Sequence, residues 1–258
     1  PSHFYVFRCH VDDFGLDVGT NLAICDAFKN TTISSTSLMA NMPGFDHALE
    51  QIQIGKIDKK CIGIHLNLTQ GTPLTEGIKK EVRFCANGLF HGQIRNKPVF
   101  ILTKREISSV SNEIQSQINR LRDAGIPISH ADGHHHIHTE WGIYSAIKGV
   151  LIQNGIKRIR ISRNSFSNNN RNLLNPKNLY KRIFNDQVRK NGFHCTTKMG
   201  EFSDFFMRKS NQNETIEVMV HFVKKDENYL LDGIESPEYN IEVKDFIQGN
   251  QLISYSDL

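Results

Sequence analysis

The chain has 258 residues, enough for one large α/β domain, and its 38% apolar and 22% charged residues fall in the range of folded globular proteins rather than disordered ones. A formal charge of +4, spread over 31 basic and 27 acidic side chains with no basic cluster interleaved with aromatics, argues against a nucleic-acid partner. The cysteines (Cys9, Cys25, Cys61, Cys85, Cys195) form no C-x-x-C pair and no apolar run approaches the roughly eighteen residues of a membrane span, so the expectation is a cytoplasmic protein without a disulfide framework or a membrane partner.

Short apolar or β-branched runs alternate with longer segments of helical period, which predicts βα units around a parallel sheet. A strand at Phe4–Val11 leads into VDDFG, and a helix follows from about Asp17 or Thr20 to Phe28. Strands come next at Ser35–Ala40 and Cys61–Leu68, whereas Arg83–Phe100 breaks the rhythm and reads as a loop. Over Lys104–Ala124, Ile107, Val110, Ile114, Ile118 and Leu121 recur at three- and four-residue steps, a helix that Gly125 and Pro127 close. A strand at Ile128–Asp132 precedes a helix at Trp141–Gln153, with Trp141, Tyr144, Ile147 and Leu151 on one side and Gly155 as its stop. The last strands are Arg158–Ile161 and Ile216–Phe222, with the Asn- and Ser-rich stretch Arg163–Asn178 as a second long loop. Neither a repeat nor a second domain is visible, so residues 1–258 are expected to form a single domain.

Three strands end in dense polar residues: VDDFG at Val11–Gly15, GIHLNL at Gly63–Leu68 and HADGHHHIH at His130–His138. In α/β barrels and open sheets, functional groups gather at the carboxyl ends of strands. Asp12 and Asp13 would point to opposite sides of an extended strand unless a turn at Gly15 re-aims one of them; the pair suits a cation ligand beside a proton acceptor, and equally an Asp turn capping a helix. His65, between Ile64 and Leu66, reads alone as a core histidine and in company as a ligand. His130, Asp132, His134, His136 and His138 occupy every second position, so an extended segment would present them on one face, a donor set that suits Zn²⁺ and related ions. His221, at the end of EVMVHF, could donate a proton to a leaving group or be a plain core residue.

Taken together, VDDFGLDVGTN, STSLMAN, GIHLNLTQGTPL, SHADGHHHIH, RIRISR and EVMVHF resemble the YdjC family of carbohydrate deacetylases, which includes chitooligosaccharide deacetylase. The resemblance runs from about Val11 to Phe222 and implies a TIM-like (β/α) barrel, regular or distorted, with one divalent metal ion, Zn²⁺ or Mg²⁺. It implies Asp13, His65 and His134 as metal ligands, Asp12 as general base, His221 as general acid, Arg160, His136 and His138 as substrate contacts, and Asp132 behind the ligands. The implied partner is an N-acetylated mono- or oligosaccharide, and a homodimer is compatible with the resemblance. A metal-dependent glycosidase or phosphoesterase, or a non-catalytic carbohydrate- or metal-binding relative, are the alternatives. The family often has Asn-Ala before DDFG and Pro-Gly after the late histidine, where this chain has His10-Val11 and Phe222-Val223.

Overall fold

In β1 (Val6–Phe14) the residues alternate between two chemistries. Phe7, Cys9 and Val11 join the apolar core, whereas Arg8, His10 and Asp12 are equally buried but polar. Side chains along a strand point to alternate faces, so this pattern asks for a sheet with an apolar outer face and a polar inner one. The computed structural model, which describes residues 6–29, 33–96, 98–165, 175–201, 204–205, 214–225, 228–231, 251–252 and 255, has that sheet.

In chain order the elements are β1, α1 (Val18–Lys29), β2 (Ser35–Leu38), α2 (Phe45–Gln53), β3 (Ile62–Leu66), α3 (Glu76–Lys79), β4 (Cys85–Ala86), β5 (Leu89–Phe90), α4 (Lys104–Asp123), β6 (Ala131–Gly133), α5 (Trp141–Gln153), α6 (Pro176–Lys190), β7 (Lys198–Glu201), β8 (Thr215–Val220), β9 (Phe222–Lys225), β10 (Asn228–Leu231) and β11 (Gln251–Leu252). Six strands pair in parallel in the order β6-β3-β2-β1-β8-β7, and β11 adds to the start of β1. The sheet curls into a half-barrel, consistent with the TIM-like expectation but not a closed barrel. Between its edges the described residues show only isolated bridges, Ala131 to Ile159 and Arg158 to His194. The expected strand Arg158–Ile161 is therefore a bridging segment rather than a laddered strand.

Outside the curl, Ile62, Ile64, Leu66, Ile216, Val218 and Val220 pack with the helices into one apolar core. Helix α4 starts at a capping box between Thr103 and Glu106 and buries Val110, Ile114, Ile118 and Leu121, as the periodicity predicts, while Ile107 is 40% exposed. Two buried polar residues of α4 have a different duty. The Glu113 carboxylate accepts from the backbone N–H groups of Leu74 and Thr75, and Gln117 bonds both the N–H and the carbonyl of Asn67, so α4 holds the loop after β3 in place.

The stretch 83–100, read as a loop, contains the β4–β5 hairpin and a 3₁₀ turn at Gln93–Asn96. Of the second expected loop, 166–174 lie outside the described residues, and its end is the start of α6, where Asn175 caps and Pro176 opens the helix. All five cysteines are free. Among the described residues no helix is long and apolar enough to cross a membrane.

Candidate metal and catalytic centre

The two adjacent aspartates face one centre because the strand breaks its own regularity there. The β1–β2 ladder shifts register between Val11 and Phe14, and Asp13 has a left-handed backbone, with φ at 69°. Gly15, at φ 91°, makes the following turn, where a Cβ would come within 2.9 Å of the Leu38 side chain. Re-aiming thus falls on Asp13 itself, with Gly15 completing the turn that the sequence suggests.

Asp13 Oδ1 lies 2.8 Å from His134 Nδ1 and 3.2 Å from His65 Nε2, and the donor atoms of these three residues all fall within 4.8 Å of one another. His65 reaches the site from β3, and its other nitrogen, Nδ1, is 2.8 Å from Asp132 Oδ1 on β6, directly opposite in register. A carboxylate there fixes the ring's tautomer and leaves Nε2 facing Asp13. His134 follows β6, and its Nε2 is 2.9 Å from Gln70 Oε1, on the loop that α4 anchors.

Behind Asp12 lies Arg160, which is fully buried. Its Nη1 and Nη2 donate to the two Asp12 oxygens at 2.8 and 2.7 Å, its Nη2 is also 3.0 Å from Asp132, and its Nε donates to Glu217 at 2.6 Å. His10 joins Asp12 and Asp132 from below, with Nε2 at 3.3 and 3.1 Å. These residues all project into the curl, where parallel barrels ordinarily pack branched apolar side chains.

Asp12, Asp13, His65, His134, His135, His136, Arg95, Glu201, Met219 and His221 line a cavity of about 590 Å³. The His221 Nε2 atom is 3.8 Å from Asp12 Oδ2, with its side chain 41% exposed. Of the expected site residues, the structure brings Asp12, Asp13, His65, His134, His136 and His221 to this cavity and places Asp132 behind His65. Arg160 and His138 do not fit the expectation of substrate contact. Both are fully buried; Arg160 is occupied by carboxylates and His138 Nε2 lies 3.2 Å from the Arg160 carbonyl.

The alternating face expected over His130–His138 is also absent. Only Ala131–Gly133 is extended; His135 and His136 take left-handed backbones at φ 53° and 56°, and the chain turns away. His135 consequently reaches the cavity, while His130 is buried beneath it against Gly63. Sequence reasoning missed His135, Arg95 and Glu201, which lie on a turn, a 3₁₀ turn and a short strand that carry no periodic signal, and Glu217, an acid between apolar neighbours in EVMV whose inward direction was readable.

Burial sets the background of the electrostatics, and neighbours decide each outcome. Burial opposes the ionisation of Asp12 and Asp132 most strongly of any single cause, but the Arg160 guanidinium together with His65, and for Asp132 also His10, holds both carboxyls below the usual range. Burial likewise opposes Asp13, and the hydrogen bonds of His134 and His65 carry it far down. His65 is driven down by burial but more strongly up by Asp132 and Asp13, to about 10. Burial, with Arg160 behind, lowers His136 to about 4.

A dication fits this centre on two counts. One carboxylate and two imidazoles converge at a cavity wall, an oxygen and nitrogen set suited to zinc-like ions. Within the curl, four carboxylates (Asp12, Asp13, Asp132, Glu217) meet two guanidiniums (Arg8, Arg160), a formal excess of two negative charges.

A parallel α/β half-barrel with an Asp-His-His set at the carboxyl ends of its strands, beside an Arg-held carboxylate and a histidine, defines a hydrolase-type centre with a candidate metal site. The chain belongs to the YdjC-like protein family, whose profile matches residues 9–243. The carbohydrate deacetylase of Halalkalibacterium halodurans is 29% identical over 221 residues, covering 84% of this chain and 85% of that protein. Those of Clostridium beijerinckii and Listeria monocytogenes are 30% and 35% identical, over 57% and 50% of this chain and 56% and 50% of theirs. Among solved structures, one from Enterococcus faecalis V583, named for cellobiose-phosphate cleavage, superposes with a TM-score of 0.68 at 18% identity over 98% of both chains, which supports the fold.

Proposed function

We propose that the chain is a divalent-metal-dependent deacetylase that removes N-acetyl groups from small N-acetylated sugars of the chitooligosaccharide kind, releasing acetate. The observation that carries this reading is the juxtaposition of the Asp13, His65 and His134 donors with Asp12 and His221 on one cavity wall. Family membership and the deacetylase names of the curated relatives agree with it.

Asp13, His65 and His134 would hold the ion, Zn²⁺ or Mg²⁺, with the two imidazoles favouring the softer zinc. A cation held this way polarises an amide carbonyl and lowers the pKa of water. The remaining work belongs to side chains. As water adds to the carbonyl carbon it loses a proton, and Asp12, ionised and fixed by the bidentate Arg160 pair, accepts it. As the C–N bond breaks, the sugar nitrogen needs a proton, and His221 stands across from Asp12 to supply it. His136, Arg95 and Glu201 on the cavity wall offer polar groups to sugar hydroxyls. A cavity of about 590 Å³ is the size for one or two sugar rings. We read the whole chain as one such domain and its setting as cytoplasmic, in keeping with five free cysteines.

The test is acetate release from N-acetylglucosamine and its short oligomers, with and without chelator. Acetate release that chelator abolishes and Zn²⁺ or Mg²⁺ restores is the expected result. Chelator-insensitive release overturns the metal, and release of reducing ends or phosphate in place of acetate overturns the reaction.

A further inference from the structure

Tyr255 plays no part in the chemistry proposed above, yet it is built into the floor of the site. The residue is 1% exposed and follows β11, which pairs with the start of β1, the strand that carries Asp12. Its ring stacks on His130 with centroids 3.7 Å apart and planes at 9°, and the Arg8 guanidinium carbon lies 3.6 Å from the ring centroid on a further contact. Such a ring could serve as packing alone. Its hydroxyl does more: it donates to Glu217 Oε2.

From Glu217 the contacts continue without a break to the cavity. The other carboxylate oxygen, Oε1, accepts from Arg160 Nε at 2.6 Å, and the two Nη atoms of Arg160 donate to the two oxygens of Asp12. A guanidinium is planar and rigid, so a partner fixed on its Nε edge fixes the direction of its Nη edge as well. Glu217 and Arg160 are both fully buried, which leaves no bulk water to replace a lost donor. Without the Tyr255 hydroxyl, Glu217 Oε2 loses its donor, the carboxylate is free to rotate, and the Nε edge of Arg160 loosens.

We infer that Tyr255 is a positioning residue for the reaction: through Glu217 and Arg160 its hydroxyl holds the Asp12 carboxylate in the orientation that accepts the proton from water. This rests on the deacetylase reading, so the test includes one measurement that does not depend on turnover.

Tyr255→Phe keeps the ring on His130 and Arg8 and removes only the hydroxyl. In the metal-loaded enzyme kcat for acetate release, measured well below the melting transition, is expected to fall about tenfold, the scale of a sub-ångström misplacement, with KM and bound metal close to wild type and a melting temperature a few degrees lower. In parallel, the Arg160 side-chain Nε–H resonance, assigned by its loss in Arg160→Lys, should exchange with solvent at least about tenfold faster in Tyr255→Phe. Glu217→Asp, which keeps the charge and shortens the reach to Arg160, should lower kcat in the same way and decides the matter if Tyr255→Phe does not accumulate. Unchanged kcat in Tyr255→Phe, or a loss that tracks metal content or KM, overturns the inference and leaves the ring as packing. A wild-type enzyme that releases no acetate overturns the deacetylase reading instead, and unchanged Arg160 exchange then removes the clamp as well.

Discussion

Asp12 and Asp13 are sequence neighbours with different surroundings, and that difference separates their duties. Asp13 touches two imidazoles, whereas Asp12 touches a guanidinium that cannot leave and a histidine across the cavity. On the proposed mechanism, amidating Asp12 removes the proton acceptor without touching the Asp13, His65 and His134 donors. Asp12→Asn is therefore expected to retain metal, measured by elemental analysis, and to lose about 100-fold or more in acetate release. Asp13→Ala and His134→Ala should lose metal and activity together; an active, metal-loaded Asp12→Asn enzyme sinks the base assignment. Arg160 carries a stability role besides. Arg160→Met leaves Asp12, Asp132 and Glu217 buried without their shared cation, so urea denaturation should show a loss of about 3–5 kcal/mol, the scale for breaking a buried ion pair from one side. A variant within about 1 kcal/mol of wild type would mean that the carboxyls take up protons at little cost.

At the scale of elements, β3 and β6 are matched by a missing side chain. Gly63 points into the curl two residues before His65, and a Cβ there would lie 2.4 Å from the His130 ring. The glycine in GIHLNL is thus a space requirement, because His130 occupies the volume its side chain would need. Gly63→Ala is expected to destabilise by about 1–3 kcal/mol or more, while Gly149→Ala, in open space on α5, should stabilise by about 0.5–1 kcal/mol. Thermal melts of the pair read both signs. Legibility in the sequence followed local periodicity. Helix α4 was visible because its three- and four-residue repeat survives in the packing, and the strand ends were visible because β-branched runs stop at polar clusters. Helix α2 was missed although Phe45, Ala48, Leu49 and Ile52 recur at three- and four-residue steps, whereas strand β7 is too short for a period to stand out from its neighbours. Helix α6 carried both the Asn175-Pro176 cap and a four-residue step through Tyr180, Phe184 and Val188, signals hidden by the Asn-rich run before them. The alternation at His130–His138 misled because positive φ angles at His135 and His136 end the strand after Gly133. Arg160 was expected to contact substrate; its burial depends on the inward polar faces of β1, β6 and β8 together, which no single segment displays.

For the whole molecule, a charged interior makes protons and stability one coupled system, and a metal ion held as proposed would join it. Without a cation, the excess of carboxylates is partly met by a proton on His65, whose pKa of about 10 stands above its unfolded value. A raised folded pKa contributes stability that is fully present below the unfolded value, near 6.5, and is lost as pH rises through about 10. Asp12, Asp13 and Asp132, shifted down, contribute stability that is present above the ordinary carboxyl range and lost as pH falls through it. Other imidazoles pull the other way: His130, His135, His136 and His138 are all lowered by burial, His136 to about 4, so each contributes stability that is lost as pH falls below about 6.5. The metal-free protein should therefore be most stable near neutral pH and weaken on both sides. A metal ion needs the His65 lone pair that the proton occupies, so its affinity should strengthen with pH, by about tenfold per unit if one proton leaves. Melting temperatures of metal-free and metal-loaded protein at pH 5.5, 7.0 and 8.5 are expected to diverge as pH rises. Calorimetric titration with zinc in two buffers of different ionisation enthalpy should report release of close to one proton at pH 7.5. Proton release near zero, with a gap between the melting curves that does not change with pH, would show that His65 is already neutral before metal arrives, and that the charge balance inside the curled sheet is met elsewhere.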